Sequence, residues 1–405
     1  MTKHNPAYSL PTAVSVVALA VAAPVSAQDA TSVEFRTGAT LASDPFLVTG
    51  ESGSKDAVAL NFEVLPEVRW QDETSVVRLG GQVRYEEWLN RYGSDISGTA
   101  SLSAQKQASE TLQLHGGVSY QTRDRPRPDA LVSYLPDEDL GDPLVFEAPI
   151  DPTLDQQFSR RQSVSANFGF DKSLSPTQSW FTEVTGVSNW FEVDGLDYRT
   201  AGLSTGYTQQ LNPRLAMNIG LSGTLSDYEV GSRGDGVIGN ATVGFDLQLS
   251  ETGSLRTGAG IGYSRVDSGE NTKETNTFFV ANASLCEQTG RSRLCAAGSR
   301  ETRPTAFGGA TKVTSASLGW DLTLGEAESL SVNAGYTDSK ASTAFVDEAV
   351  PLRSKYASAA VRYSRSLSKN LGFYFAPSAT KIFDDPTGRG SNYQVSVGLS
   401  YIFGR

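Results

Sequence analysis

The 405-residue chain is poor in the side chains that most metal sites and hydrolytic centres draw on: two cysteines, two histidines and two methionines. His4 falls in a leader-like stretch, so a mature protein would carry a single imidazole, His115. A structural zinc site takes four ligands, and a serine hydrolase needs a positioned imidazole, so both readings rest on very few residues. No paired-carboxylate motif stands out. Gly258-Ala-Gly-Ile-Gly262 is no phosphate loop, because no helical pattern follows it, and glycines within a strand allow close packing or curvature. Basic excess is missing too. With 34 Lys+Arg against 45 Asp+Glu the net charge is −11, which offers no basis for nucleic-acid binding. Beyond the first 30 residues no run approaches the roughly 18 apolar residues of a membrane-spanning helix. The sequence therefore implies no catalytic residues, no cofactor and no metal.

What is there begins with an export signature. Lys3 and His4 precede an apolar run from Ala13 to Ala23, and Val25-Ser26-Ala27 sets small residues before Gln28. Residues 1–27 read as a signal peptide and 28–405 as one domain, with no linker to divide it. In an oxidising exported environment Cys286 and Cys295 are expected to form a local disulfide that pins one long loop, placed at about Arg265 to Thr311.

The mature chain is a series of alternating segments. In Tyr393-Gln-Val-Ser-Val-Gly-Leu-Ser-Tyr-Ile-Phe403 the apolar residues share one side of a strand, and Gln394, Ser396, Gly398 and Ser400 share the other. Similar contrasts set Val77, Leu79, Val83 and Tyr85 against Arg78, Gln82, Arg84 and Glu86, and Val164, Ala166, Phe168 and Phe170 against Arg161, Ser163, Ser165 and Asn167. A soluble sandwich and a transmembrane barrel share this pattern with the faces inverted. Loop lengths separate them, since short returns alternate with longer loops, as in an antiparallel barrel with both termini on one side. The expectation is an all-β, single transmembrane antiparallel barrel of about sixteen strands, or eighteen if Thr277-Phe278-Phe279-Val280-Ala281-Asn282 opens a further hairpin. Trp180 and Trp190, of one parity and ten residues apart, would stand roughly 23 Å apart along a membrane normal.

Tyr401 and Phe403 in the final strand resemble the C-terminal signal by which bacterial outer-membrane proteins are recognised for barrel insertion, with Gly404 and Arg405 following. The chain also resembles the porin-like barrels associated with exopolysaccharide synthesis and export. The resemblance is carried by Asp44-Pro45-Phe46, by Arg84-Tyr85 with Tyr92, by Arg123-Asp-Arg-Pro126 and by the closing strand. It implies an integral outer-membrane protein among lipid and lipopolysaccharide, served by the barrel-insertion machinery, with periplasmic polysaccharide-export proteins and an anionic polysaccharide as partners.

A barrel of this size leaves a water-filled interior unless plugged. Parity assigns Arg78, Arg84, Glu86, Arg161, Asp246, Arg256, Asp321 and Arg362 to that lumen. Such arginines either favour anionic solutes or pair with acidic neighbours. The acidic loop with Asp137, Glu138, Asp139 and Asp142 is long enough to fold inward as a constriction. His115 should face the lumen as a polar wall residue. An export pore, a general small-solute porin and an occluded structural or adhesive surface barrel remain as functional readings.

Overall fold

The computed structural model describes residues 30–46, 56–90, 92–123, 160–192, 197–229, 235–267, 273–304, 310–341, 353–383 and 390–404. Residues 1–27 and the loop carrying Asp137 to Asp142 lie outside them. Every regular element described is a strand. The first six are β1 (Ala30–Ala42), β2 (Ala57–Gln71), β3 (Ser75–Trp88), β4 (Gly93–Ser109), β5 (Leu112–Arg123) and β6 (Arg161–Ser175). The next six are β7 (Gln178–Phe191), β8 (Tyr198–Asn212), β9 (Leu215–Tyr228), β10 (Gly236–Gln248), β11 (Gly253–Asp267) and β12 (Lys273–Thr289). The last are β13 (Ser292–Pro304), β14 (Ala310–Gly325), β15 (Glu328–Ala341), β16 (Arg353–Ser366), β17 (Leu371–Phe383) and β18 (Ser391–Phe403).

Each strand pairs antiparallel with its neighbours in sequence, and β1 pairs with β18 as well as β2, so one sheet closes into an 18-stranded barrel. Closure leaves no edge and excludes two stacked sheets. Along β18, Tyr393, Val395, Val397, Leu399, Tyr401 and Phe403 are exposed, while the residues between them are half-buried or buried. Directly opposed residues share a face, so the ladder carries this sidedness around the barrel: Tyr401 opposes Phe35, and Phe35 opposes Val64. Among the described residues 39 large apolar side chains are exposed and 15 hydrophobic ones are buried. The apolar face therefore lies mostly outside, the reverse of a soluble core. Trp180 and Trp190 both stand on that outer face.

The expectation of about sixteen strands falls short by two. Both come from the stretch read as a single loop from Arg265 to Thr311, which instead folds as β12 and β13. The period-two contrast vanishes there because inward residues are apolar as well: Phe278 and Val280 face inward and pack with Ile238 and Ala310. The cysteines are bonded to each other, but they do not pin a long loop. Cys286 directly opposes Cys295 in a hairpin whose turn is two residues, at the end where all the short returns gather.

Eight connections of two to four residues gather at that turn end, and nine of four to 37 residues lie at the other. In the β2–β3 turn the Asp72 carboxylate accepts the amides of Thr74 (2.8 Å) and Ser75 (2.6 Å) and the Ser75 hydroxyl (2.7 Å). The Ser75 hydroxyl and the two amides hold its pKa down at about 2, from 3.8. Since the folded value lies below the unfolded one, this cap stabilises fully above about pH 4 and is lost as pH falls through about 2. In a carboxyl titration by NMR, Asp72 should therefore show a midpoint near pH 2; a midpoint near 4 would mean that the cap does not form.

Two features mark the loop end. Phe46 folds back edge-on against Trp88 (5.5 Å) and Tyr92 (4.9 Å), joined by Ala42, Ala57 and Ala59. This packing holds Tyr92 at φ 72°, a left-handed conformation unfavourable for a bulky residue. Further round, β12 and β13 part company. Their register ends at Ala281↔Arg300, although β12 continues beside β11 as far as Lys273 and β13 beside β14 as far as Pro304.

Candidate functional site: the lumen

The inward face is built from residues of the opposite parity to the exposed apolar strips. On β1 to β3 a charged row runs across three strands. Arg36 meets Glu34 at 2.8 Å and Glu63 at 3.4 Å, Glu63 also accepts from Gln82, and Arg84 meets Glu86 at 2.5 Å. Beside this row, Tyr374 on β17 lies flat along the wall over Gly398 of β18 and reaches Gly38 of β1, where its hydroxyl would stand 2.7 Å from an added Cβ. Arg362 sits over the Tyr374 ring at 4.9 Å. Glycine here is a requirement of close approach, because any side chain would displace the ring. The effect is a wide lumen whose large side chains lie against the wall.

The other candidates follow the same geometry. Arg78 directly opposes Arg69 and Ser103 on the inward face. Glu86 is 1% exposed and opposes Asn61 and Asp95, which are also buried. Arg161 donates to Asn189 at 2.7 Å and covers the Phe191 ring at 5.6 Å. Asp246 and Arg256 directly oppose each other, 3.1 Å apart, and Asn218 donates to the same carboxylate at 2.9 Å. Asp321 opposes Arg293 and Ser331, and Ser331 in turn opposes Arg362. All eight sequence-assigned positions thus share the inward face, in two direct pairs (Arg84–Glu86, Asp246–Arg256) and four separate places. How Asp137, Glu138, Asp139 and Asp142 stand to them lies outside the described residues.

Arg36, Glu34, Glu63, Arg69 and Arg293 belong to the same lining and were not singled out by sequence. For Arg36 the signal was present, since its parity is opposite to that of Val33, Phe35 and Leu41. Arg69 was obscured because Leu65 also faces inward, which blurs the alternation of β2. Inward arginines and inward carboxylates are nearly equal in number across the described strands. The inward faces of β8, β9, β15, β17 and β18 carry no charge at all and offer mainly Ser, Thr, Asn, Gln and Gly, with a few Ala, Ile and Tyr such as Tyr374 among them. Hydroxyls pair across strands, as in Ser119–Ser165 (2.6 Å), Ser299–Ser315 (2.8 Å) and Thr40–Ser396 (2.8 Å).

His115 is inward, with Nδ1 3.1 Å from Asp171 and Nε2 3.5 Å from Glu183. Both ring nitrogens are thus occupied by carboxylates, whereas nucleophilic catalysis needs one aimed at a hydroxyl or thiol. Among the described residues no group of three or more His, Cys, Asp or Glu side chains is placed to hold a metal.

The fold defines a closed antiparallel β-barrel with an apolar exterior and a polar interior. No protein-family model matches the chain, and no curated protein matches it. Among solved structures it is similar to the FrpB iron transporter from Neisseria meningitidis, at 8% identity and TM-score 0.48, covering 92% of this chain and 82% of that one. It is similar to Pseudomonas aeruginosa OccK2 (OpdF), at 9% identity and TM-score 0.46, covering 93% and 98%. It is similar also to the copper transporter OprC, at 10% identity and TM-score 0.47, covering 93% and 80%. The barrel assignment itself rests on this chain's own strand ladder.

Proposed function

We propose that the protein is an integral outer-membrane channel of the general porin kind, passing small hydrophilic solutes through its lumen. The observation that carries this reading is the closed 18-stranded ladder with exposed apolar residues outside and hydroxyls, amides and balanced charges inside. A fully exposed Leu, Ile or Phe forgoes about 1.5–3 kcal/mol of burial. An exterior carrying Ile261 at 66% and Phe168 at 61% exposure is therefore suited to lipid. Eighteen strands some 4.8 Å apart at a tilt near 45° enclose a backbone cylinder roughly 39 Å across, wide enough for an aqueous path. In this placement the short returns and the Cys286–Cys295 hairpin face the periplasm and the long loops face outward.

Because positive and negative wall residues nearly cancel, the channel discriminates weakly between ions. In planar bilayers the purified protein should give steady conductance steps, with a reversal potential near zero across a salt gradient. A strongly displaced reversal potential would contradict the balanced lumen, and persistent silence would leave an occluded surface barrel. A second reading, association with exopolysaccharide export, is favoured by one observation: Phe46 and Tyr92, which carry part of that resemblance, meet in a single aromatic knot at the loop end. This reading expects deletion to abolish secreted polymer with small-solute uptake unchanged, whereas the porin reading expects the reverse.

A further inference from the structure

We infer that the outward face of β13 to β17 at the loop end is a docking site for the phosphorylated disaccharide headgroup of lipid A, the membrane anchor of lipopolysaccharide. The inference rests on the outer-membrane reading above and gives that environment a specific contact. The register makes the cluster compact. One row runs from Arg300 through Thr314 and Asp338 to Lys355, and the row above it runs from Lys312 through Lys340 to Arg353. Lys381 stands one row below, opposite Ala357. Strand spacing and rise make the patch roughly 20 Å by 14 Å.

Six cations therefore share five strands with one carboxylate, Asp338, which Arg353 holds through two hydrogen bonds. In a chain of net charge −11 this concentration is not a matter of composition. Elsewhere on the loop-end rim of the described strands, outward cations are fewer and mostly matched: Arg199 directly opposes Asp227, and Lys273 pairs with Asp267 at 3.7 Å. Arg300, Lys340, Arg353 and Lys381 are exposed.

What lies beneath the cations selects an amphiphile over a free anion. Directly under the basic rows stand Gly298, Ala316, Tyr336 and Ala357 beside Lys381, and the outward row below that is Ala296, Leu318, Ala334, Ala359 and Ala379, so the cations border an apolar strip made mostly of small side chains. Phosphates on a sugar headgroup would meet the lysines and arginines by charge-assisted hydrogen bonds, while acyl chains lie along the alanines. Clustered Lys and Arg next to a membrane each add to anionic-lipid affinity. A soluble polyanion would gain nothing from the strip.

The test uses the full-length protein in detergent, with the folded barrel verified by circular dichroism, so that binding is read whether or not the channel conducts. The variant Arg300→Gln/Lys312→Gln/Lys340→Gln/Lys381→Gln is compared with wild type for bound lipid A by native mass spectrometry. Wild type should retain lipid A, and the variant should lose about a thousandfold in affinity. Arg199→Gln/Arg265→Gln, on the same rim outside the patch, should bind as wild type does. Dephosphorylated lipid A should bind wild type no better than it binds the fourfold variant. Equal retention by wild type and the fourfold variant, or equal loss in both variants, would overturn the site.

Discussion

Valine at Gly398 is expected to stop the barrel from closing. A Cβ there would run into the backbone carbonyl of Thr37 and would stand 2.5 Å from the Tyr374 hydroxyl and 2.6 Å from its Cζ. The carbonyl belongs to the facing strand of the closing seam, where Gly398 opposes Gly38. It cannot retreat without breaking the seam. Overpacking costs typically 1–3 kcal/mol and more where backbone must move, so a loss of at least about 3 kcal/mol is expected. Urea unfolding in vesicles, with the heat-modifiable band on SDS gels, reads it directly.

Gly262 provides the contrast. The three nearest atoms to a Cβ there all belong to side chains, two from the Phe278 ring and the Asn240 amide oxygen. Gly262→Val should lose about 1–3 kcal/mol, and adding Phe278→Ala should restore most of it. The corresponding addition of Tyr374→Ala should not rescue Gly398→Val, because the Thr37 carbonyl remains. Rescue of both would show that the Thr37 carbonyl yields after all, and rescue of neither would show that the Phe278 ring is not what a side chain at position 262 meets.

The second large effect concerns selectivity. Removing Arg36, Arg84 and Arg362 together as serines should convert a weakly selective lumen into a cation-preferring one. Arg36 and Arg84 belong to the charged row of β1 to β3 and Arg362 lies over the Tyr374 ring beside it, and their removal leaves Glu34, Glu63 and Glu86 on the same stretch of wall. A unit charge about 8 Å from a permeating ion in water contributes about 0.5 kcal/mol, so three sum to about 1.5 kcal/mol, roughly tenfold in relative ion occupancy. Reversal potentials at low salt should show it, and the shift should shrink as ionic strength rises. An unchanged reversal potential would mean that permeating ions do not pass this row.

How much of this was legible depended on contrast between faces. In β18 and β6 the alternation is nearly complete, and the sidedness of Phe168 and Val395 could be read from sequence, as could that of Arg84 and Arg161. In β12 it failed because Phe278 and Val280 are apolar residues on the inward side, filling space against Ile238 and Ala310. Without contrast there is no period to detect, so β12 and β13 read as loop, with Thr277 to Asn282 the one local sign of the hairpin that the structure contains. The wall glycines were visible as strand glycines, but not their partners. Tyr374 over Gly398 and Phe278 over Gly262 are relations between strands, fixed by register, and register is not written in any one strand. The local disulfide needed only two cysteines and a compartment, yet its place at a tight hairpin required knowing that the loop was absent.

The seam between β1 and β18 has a consequence for the birth of the protein. Thr40 and Ser396, 356 positions apart, touch across it, so the circle cannot be completed until nearly the whole polypeptide has been made. Until then both terminal strands offer naked edges to any passing chain, and contacts of such long range form slowly. Synthesis and closure must therefore be separated in time, with the finished chain kept from aggregating in between.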